Sequence, residues 1–204
     1  MDAQRTTIVL DCDGVLADLC NPFEKFIESY YQRPLVYKNS TAYLLRDSLG
    51  ISEAEERNLV TGFYHSRFFE TIQPYEGARK MVRHLSYHFN LAVATARPSW
   101  LREKTHCWHY RCFSPVPLPV YHTGEYEPEN ADFLSKEELC RHLNAPLIVE
   151  DRPSNVLSCA EQGIRVILIS HNYNQEVQHD LITRVSSLPD VPCKVKQILC
   201  MHNP

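Results

Sequence analysis

Short apolar runs rich in β-branched residues alternate with helical patterns along most of the chain. A run of this kind, bounded by polar or turn residues, is typical of a strand buried on both faces. Alternation of such strands with helices favours a parallel sheet joined by right-handed crossovers. We therefore predict an α/β fold with a doubly wound, mainly parallel sheet. The predicted strands cover residues 6–10, 91–94, 120–122, 147–149 and 165–169.

The segment from residue 17 to residue 73 carries helix signals and no strand pattern. Asn21-Pro22 predicts a helix start, with Asn as the N-cap and Pro at the first helical position, and Arg33-Pro34 ends that helix. A second helix is predicted over residues 41–49, with Gly50 just beyond its C-terminus. We therefore expect this segment to be helical throughout.

A capping box formed by Ser52 and Glu55 predicts a third helix in the same segment, to about His65. About half of the aromatic residues of the chain fall in this segment, and we expect most of them to pack a small helical core. Only a few are then left to face a ligand. They include Phe23, Phe26, Tyr30, Tyr31, Tyr43, Phe63, Tyr64, Phe68 and Phe69.

The second half of the chain has its own helix signals. Ser135 as N-cap with Glu138 at the third helical position opens one helix, and Gly163 ends another. A further helix follows Pro98, and the Pro-rich residues 114–119 connect it to the next strand. Together with the helix after Pro98, the helices predicted in this half cover residues 77–88, 135–143, 153–161, 176–186 and 195–201.

Polar side chains follow three of the predicted strands at the point where each strand ends. Asp11 and Asp13 follow the first strand, Thr95 follows the second, and Glu150 and Asp151 follow the fourth. Ligands of open α/β sheets bind beyond the carboxyl ends of the strands, so these groups should meet in one crevice. Asp-x-Asp-Gly alone is equally typical of a turn, but three coincidences are needed to explain all of these positions as turns. An aspartate can serve as a nucleophile, and carboxylates are ligands that Mg²⁺ prefers.

Composition narrows the class of protein. The 204 residues are 44% hydrophobic and 23% charged, as expected of a globular chain with one core and a modest insertion. The net charge is −4 and no long Lys/Arg cluster occurs, so we expect no nucleic-acid polymer as partner, whereas a small phosphorylated substrate fits. No apolar run approaches the roughly 18 residues of a membrane span, and no leader pattern is present. We expect a cytoplasmic protein without a membrane partner. The oligomeric state is not indicated.

Eight cysteines are scattered along the chain, and we expect reduced thiols. The densest group of metal-ligand residue types is His106, Cys107, His109 and Cys112. It contains no Cys-x-x-Cys pair and has no second half elsewhere. A structural zinc site is therefore the weaker interpretation, and an amphipathic helix with Cys and Trp facing the core is the favoured one.

The set Asp11-Cys12-Asp13-Gly14-Val15, Thr95, Lys136 and Glu150-Asp151 resembles the four motifs of the haloacid dehalogenase superfamily. The motifs span nearly the whole chain. The resemblance implies a Rossmann-type core of residues 1–17 and 74–204, with residues 18–73 as a helical cap inserted after the first strand. A narrower resemblance is to the 5′(3′)-deoxyribonucleotidases and their bacterial relatives. It is carried by residues 68–70 and 76–78, by Thr95-Ala96-Arg97-Pro98 and by Glu150-Asp151-Arg152-Pro153.

The resemblance implies a Mg²⁺ site built from four acidic residues. Asp11 would be both the nucleophile and a metal ligand, the carbonyl group of Asp13 a second ligand and Asp151 a third. Glu150 would orient a metal-bound water. Cys12, between the two aspartates, is expected to point its side chain away from this site.

The resemblance also assigns the phosphate-binding groups. Thr95, with backbone amides near Ala96 and with Arg97, would bind the phosphoryl oxygens. Lys136 would bridge the nucleophile and the phosphate, because a dianionic ester repels an attacking carboxylate unless cations neutralise it. Lys136 has an alternative interpretation as a solvated lysine on an exposed helix face, since that is a frequent setting for lysine.

Asp13 indicates the reaction type. Cleavage of a phosphate ester expels an alkoxide that needs a proton, and an aspartate two residues after the nucleophile can supply it. The dehalogenases and ion pumps of the superfamily lack an aspartate at this position, so the resemblance implies a Mg²⁺-dependent phosphomonoester hydrolase that forms an aspartyl-phosphate. The aromatic segment favours a nucleoside monophosphate as substrate. Another small ester such as a sugar phosphate is the alternative, as is a non-catalytic binding protein of this fold.

Overall fold

The computed structural model describes residues 5–32, 41–124 and 133–200. Six parallel strands form one sheet, and two short strands that are distant in sequence form a second, antiparallel sheet. In chain order the strands are β1 (Thr7–Asp11), β2 (Ala17–Asp18), β3 (Gln73–Pro74), β4 (Asn90–Thr95), β5 (Val120–His122), β6 (Leu147–Glu150), β7 (Arg165–Ile169) and β8 (Ile182–Val185). The order across the large sheet is β5-β4-β1-β6-β7-β8.

Eight α-helices lie within the described residues. In chain order they are α1 (Cys20–Tyr31), α2 (Leu45–Leu49), α3 (Glu53–His65), α4 (Ala78–Ser86), α5 (Arg102–Phe113), α6 (Lys136–His142), α7 (Pro153–Glu161) and α8 (Val191–Cys200). None of these helices is long and apolar enough to cross a membrane, within the part of the chain that the structure describes.

Strand β1 lies in the middle of the sheet and has helices on both of its faces. It pairs with β4 on one side, from Thr7 opposite Asn90, and with β6 on the other, from Ile8 opposite Leu147. Ile8 and Leu10 pack into the core that contains residues of α4, α5 and α8, whereas Val9 packs into the core of α6 and α7. Burial of both faces explains why the strand is apolar from Ile8 to Leu10. The doubly wound α/β fold is confirmed, and all five predicted strands are present.

Residues 17–73 are not helical throughout, because β2 and β3 pair at the two ends of this segment. Ala17 lies opposite Pro74, and Asp18 opposite Gln73. Each strand has only two residues, which is too short to show an alternating pattern in the sequence. The helices of the segment pack within the same apolar cluster as one face of the sheet. Residues 18–73 as a separate cap remain a prediction.

The aromatic residues of the segment form a small core, as expected. Phe63 is buried, and its ring centroid lies 5.0 Å from that of Phe23, 5.7 Å from Phe26 and 5.8 Å from Phe69. These rings meet edge to face, the arrangement that aromatic quadrupoles favour. Tyr30 is exposed, so the packing does not extend to every aromatic side chain.

Two helix limits in the segment differ from the prediction. Helix α1 begins at Cys20 and not after Asn21, because Asp18 accepts a hydrogen bond from the Asn21 backbone N–H and so satisfies an N-terminal amide. Residues 33–34 lie outside the described residues, and the helix ends at Tyr31. Helix α2 covers only Leu45–Leu49 of the predicted 41–49, although Gly50 ends it as expected. The capping box of Ser52 and Glu55 is present.

The prediction of a helix over residues 176–186 is wrong. Residues Ile182–Val185 form β8, which pairs with β7 from Val166 opposite Ile182 to Ile169 opposite Val185. Strand β8 is at the edge of the sheet and is mostly half-buried, so it lacks the apolar run that marks the inner strands. The final helix begins at Val191, four residues before the predicted start, and Met201 lies outside the described residues.

The histidine- and cysteine-rich stretch is the amphipathic helix α5. Trp108, His109 and Cys112 are buried, whereas Cys107 is exposed, so the candidate zinc ligands point in different directions. In the described part of the chain, these residues form no cluster of potential metal ligands. All seven cysteines whose side chains are described are free thiols.

Gly14 allows the chain to turn tightly after β1. Its φ is +92°, a region that residues with a Cβ rarely adopt. A Cβ at this position would lie 2.2 Å from Oδ2 of Asp151, so the glycine leaves room for that carboxylate. Position 14 therefore requires glycine for two reasons, the positive φ of its backbone and the nearby carboxylate of Asp151.

We expect Gly14→Ala to be more destabilising than a matched glycine substitution. Gly163 also has positive φ, +80°, but a Cβ there would meet nothing within 4 Å. Gly163→Ala should cost about 1–2 kcal/mol from the backbone alone. Gly14→Ala should cost about 1–3 kcal/mol more, because the methyl group displaces Asp151. Denaturant unfolding of both variants measures the difference, and equal losses would contradict the steric argument.

Candidate active site

The carboxyl ends of β1, β4 and β6 bring the predicted acidic and polar residues together. Asp11 is the last residue of β1, Thr95 the last of β4 and Glu150 the last of β6, with Asp151 directly after it. All four side chains are buried. The strand register places β1 between the other two, so the groups converge as the sequence predicts.

Lys136 is the first residue of α6 and lies in the centre of the acidic group. Ser135 caps the helix in a capping box with Glu138, which fixes where α6 begins. The Nζ atom of Lys136 donates to Oδ1 of Asp11 at 2.5 Å and to Oε2 of Glu150 at 2.7 Å. Only 5% of the residue is exposed, so the alternative of a solvated lysine is wrong.

Burial and charge perturb both partners of the central ion pair. Burial, together with the charge of Glu150, raises the pKa of Asp11 to about 7, although Lys136 opposes this shift. Burial disfavours the charged form of Lys136, but the carboxylates of Asp11 and Glu150 outweigh it and hold the lysine pKa above its usual value. Lys136 therefore stays charged at neutral pH.

Glu150 is held by protein donors at both carboxylate oxygens. Its Oε2 accepts from Lys136, and its Oε1 accepts from the backbone N–H groups of Asp151 and Arg152, each at 2.9 Å. The side chain is completely buried. These hydrogen bonds hold the turn after β6 in place and fix the positions of Lys136 and Asp151 relative to Glu150.

Asp151 has one oxygen with a partner and one without. Its Oδ2 accepts a hydrogen bond from the hydroxyl group of Tyr173, whereas its Oδ1 is buried with no hydrogen-bond partner among the described residues. Burial, followed by the charges of Glu150 and Asp11, raises the pKa of Asp151 well above its usual value. A buried carboxylate oxygen without a donor is costly unless a cation compensates it.

The acidic residues fit a divalent cation. Asp11, Glu150 and Asp151 each offer an oxygen within 4.8 Å of the others, the one such cluster among the residues that the structure describes. When all three carboxylates are ionised, Lys136 balances one of the negative charges and leaves two, which a single divalent cation would neutralise. Oxygen ligands of this kind suit Mg²⁺. Asp11 and the unpartnered Oδ1 of Asp151 are the available side-chain ligands.

Asp13 is bound by Arg97 on the other side of the loop. Nε of Arg97 donates to Oδ2 of Asp13 at 2.9 Å, and Nη2 donates to Oδ1 at 2.6 Å. The arginine is only 1% exposed and lies against the rings of Phe69 and Trp108, at 5.0 and 5.6 Å from their centroids. Its side chain thus holds the carboxylate of Asp13, and a contact of Arg97 with phosphoryl oxygens stays a prediction.

Thr95 and Ala96 form the turn after β4. Thr95 is buried, and its Oγ1 accepts a hydrogen bond from the backbone N–H of Arg97 at 3.2 Å. Its carbonyl oxygen accepts from the backbone N–H of Thr123 at 2.9 Å. Ala96 is half-buried. The two residues are thus held at the same sheet edge as Asp11.

Cys12 is buried in the apolar core and contacts α5. Its Sγ lies 3.3 Å from Nε2 of His109 on α5. Burial raises the pKa of the Cys12 thiol, and burial together with the charge of Arg97 lowers the pKa of His109 to about 3. Both groups are therefore neutral at physiological pH.

The turn after β7 supplies site residues that the sequence analysis missed. Tyr173 bonds to Asp151, Asn174 donates to the Asp151 carbonyl oxygen at 2.8 Å, and His171 Nε2 lies 2.9 Å from the Gly14 carbonyl oxygen. These polar residues directly follow the predicted strand 165–169. The rule that polar groups gather beyond strand ends therefore also points to them.

Comparison with known proteins identifies the family. The sequence profile of the family described as 5' nucleotidase, deoxy (pyrimidine), cytosolic type C protein matches residues 5–197. The match includes every residue of the acidic cluster. A search of curated protein sequences gives no match.

Solved structures share the fold at low sequence identity. A haloacid dehalogenase-like hydrolase from Streptococcus pneumoniae is 15% identical, with a TM-score of 0.66 over 94% of this chain and 98% of that one. A predicted phosphatase from Clostridium acetobutylicum is 15% identical, with a TM-score of 0.66 over 96% of this chain and 100% of its own. A predicted phosphoglycolate phosphatase from Haemophilus somnus is 16% identical, with a TM-score of 0.62 over 97% of this chain and 100% of its own.

The profile spans nearly the whole chain, and the solved structures extend the similarity to the arrangement of the sheet. The chain therefore belongs to the 5' nucleotidase, deoxy (pyrimidine), cytosolic type C family of haloacid dehalogenase-like phosphatases.

Proposed function

We propose that the protein is a Mg²⁺-dependent phosphatase of nucleoside monophosphates that forms an aspartyl-phosphate on Asp11. The single observation that carries this proposal is the placement of Asp11 at the end of β1 against Lys136, with the unpartnered Oδ1 of Asp151 in the same cluster. This arrangement combines a carboxylate nucleophile with the positive charge that a phosphate dianion requires.

Asp11 would attack the phosphorus atom in line and displace the alcohol. Lys136 holds the nucleophile through Oδ1 and supplies positive charge beside the transferred phosphoryl group. When bound, Mg²⁺ would be held by Asp11 and Asp151 and would neutralise charge on the phosphoryl oxygens. Thr95 Oγ1 and the nearby backbone amides are the proposed phosphoryl donors.

Asp13 is the proposed acid and base. It would give a proton to the leaving oxygen and later take one from the water that hydrolyses the aspartyl-phosphate. Arg97 donates to both carboxylate oxygens, so it sets the position of Asp13. Side-chain exposure of 23% gives Asp13 the access to substrate that this role needs.

Two observations support a nucleotide. The family profile that matches residues 5–197 is that of a 5' nucleotidase, and the segment between β2 and β3 is rich in aromatic side chains that could stack on a base. A second candidate is a smaller phosphate ester, because one solved structure of the same fold is described as a phosphoglycolate phosphatase.

A phosphate-release assay separates these substrates. We expect turnover of nucleoside 5′-monophosphates with kcat/KM at least about tenfold higher than for phosphoglycolate and hexose phosphates, since about 1.4 kcal/mol of base stacking suffices for that ratio. The matched comparison is each nucleotide with ribose 5-phosphate, which lacks only the base. Equal kcat/KM for the two would rule out base recognition, and no release from any ester would rule out the phosphatase.

Cation binding should stabilise the protein more strongly as pH rises. The folded pKa of Asp11 is about 7, above its ordinary value of 3.8, so the metal-free fold loses stability as pH rises through about 7. Mg²⁺ requires the ionised carboxylates and would restore that stability. The rise in Tm on adding MgCl₂ should be larger at about pH 8 than at about pH 5.5, with NaCl of equal ionic strength as control. A rise that is the same at both pH values would contradict a site built on Asp11.

Substitution of Asp11 and Asp13 should separate the two chemical roles. With p-nitrophenyl phosphate, whose leaving group needs no proton, Asp13→Asn should give an approximately stoichiometric burst and then turn over roughly 10²–10⁴-fold more slowly than wild type. Asp11→Asn should give neither burst nor turnover. Asn at position 13 can still accept a hydrogen bond from Arg97, and thermal unfolding checks that the variant is folded. A burst from Asp11→Asn would exclude it as the nucleophile.

A further inference from the structure

The turn that follows β7 is attached to the acidic cluster through one tyrosine. A short 3₁₀ helix, Asn172–Asn174, carries Tyr173, whose hydroxyl group donates to Oδ2 of Asp151. The other oxygen of that carboxylate has no hydrogen-bond partner in the described residues. Tyr173 therefore determines which oxygen of Asp151 is left for another ligand.

The backbone of this turn is anchored to the sheet. The side-chain amide of Asn174 donates to the carbonyl oxygens of Asp151 and Ile169, both at 2.8 Å. Its Oδ1 accepts from Nη1 of Arg184 on β8 at 2.9 Å, and Nη2 of Arg184 donates to the Asn174 carbonyl oxygen at 2.8 Å. Two neighbouring strands thus fix the position from which Tyr173 reaches the cluster.

His171 ties the same turn to the loop that carries the acidic pair. Its Nε2 lies 2.9 Å from the Gly14 carbonyl oxygen, which can only accept, so Nε2 is the donor. The imidazole ring stacks on the ring of Tyr173, with centroids 5.1 Å apart and planes 14° apart. The tyrosine ring is therefore held on one face by a residue that is itself bonded to the turn after β1.

The ring of Tyr173 also contacts the segment between β2 and β3. Tyr43, in that segment, meets Tyr173 edge to face with centroids 5.3 Å apart and planes 73° apart. The guanidinium carbon of Arg152 lies 4.9 Å from the centroid of the Tyr43 ring. Tyr173 thus contacts both Asp151 and the segment between β2 and β3.

We propose that Tyr173 is a positioning residue that orients Asp151 toward a divalent cation. Through its contact with Tyr43, it also couples cation binding to the placement of the segment between β2 and β3. The proposal rests on the proposed function, since it assumes that Asp151 is a cation ligand. A hydrogen bond to Oδ2 fixes the carboxylate rotamer and leaves Oδ1 free of protein donors. Partners of this kind commonly determine cation affinity although they never touch the ion.

Coupling follows from the shared contact. If Tyr43 stabilises the ring position in which the hydroxyl group reaches Asp151, then anything that displaces Tyr43 weakens the cation site. By thermodynamic linkage, an empty cation site then loosens the contact with Tyr43 to the same degree. The cation and the segment between β2 and β3 would then stabilise each other's position without direct contact.

The test is the Mg²⁺ affinity of Tyr173→Phe, measured by calorimetric titration of the full chain without substrate. The variant keeps the ring and loses only the hydroxyl group, and its Kd for Mg²⁺ should rise about 10–100-fold. Raising the Mg²⁺ concentration should restore kcat to near the wild-type value, because the loss is in occupancy. A purely structural role would lower Tm and leave Kd unchanged.

A matched control is Tyr75→Phe. Tyr75 also packs on His171, with ring centroids 6.1 Å apart, but it has no hydrogen bond to the acidic cluster. Its Mg²⁺ Kd should stay within about twofold of wild type. The same fold change in both variants would overturn the role of the Tyr173 hydroxyl group.

A second variant tests the coupling from the other side. Tyr43→Leu removes the edge-to-face contact and should raise the Mg²⁺ Kd about two- to tenfold. In the double variant Tyr43→Leu/Tyr173→Phe, the Kd should rise by less than the product of the two single fold changes. Unchanged Kd in Tyr43→Leu would overturn the coupling. If the wild-type protein hydrolyses phosphate esters and binds Mg²⁺, and Tyr173→Phe has the same Mg²⁺ Kd, only this inference is overturned. Wild-type protein that binds no Mg²⁺ overturns the proposed function as well.

Discussion

The ion pair between Lys136 and the two carboxylates of Asp11 and Glu150 is the interaction on which the rest of the site depends. Three acidic side chains lie at one sheet edge with almost no solvent to screen them. Removing charged groups from water costs several kcal/mol for each ion after relaxation, unless they are paired and hydrogen-bonded. Lys136 provides that pairing from the first turn of α6, where the capping box of Ser135 fixes its position.

A second ion pair, buried only on its arginine side, separates the surroundings of the two aspartates in the opening motif. Asp11 is bonded to Lys136 and Asp13 to Arg97, so two carboxylates two residues apart face different cations. Strand geometry does not explain this, because residues i and i+2 of an extended chain point to the same side; the difference arises where β1 ends at Asp11 and Gly14 turns the backbone. The surroundings differ accordingly. Asp11 is in an acidic pocket, whereas Asp13 is next to a guanidinium packed between Phe69 and Trp108.

Most of the sheet and the convergence of its polar strand ends could be predicted from the sequence, because inner strands carry a local signal. Strand β1 and strand β6 are apolar at nearly every position, and burial on both faces requires this. The edge strand β8 has no such requirement, and its assignment failed. Strands β2 and β3 have two residues each, which is too few to show an alternating pattern.

The parts of the site that escaped prediction depend on contacts between distant residues. Tyr173 is 22 positions from Asp151, and Arg97 is 84 positions from Asp13. No local pattern records that a tyrosine bonds to a carboxylate of another strand. Nor does one record that the arginine of Thr-Ala-Arg-Pro bonds to an acid. Lys136 was found only because its residue type matched a motif, and its burial became evident from the fold.

The pairing of Ala17 with Pro74 has a consequence for how this family can diversify. The two ends of the segment between β2 and β3 are therefore held side by side, and its helices pack in the same apolar cluster as one face of the large sheet. Replacement of one helical insertion by another of different length would leave the strand order and the spacing of the acidic cluster unchanged. An insertion or deletion between the two paired strands therefore need not move Asp11 at the end of β1.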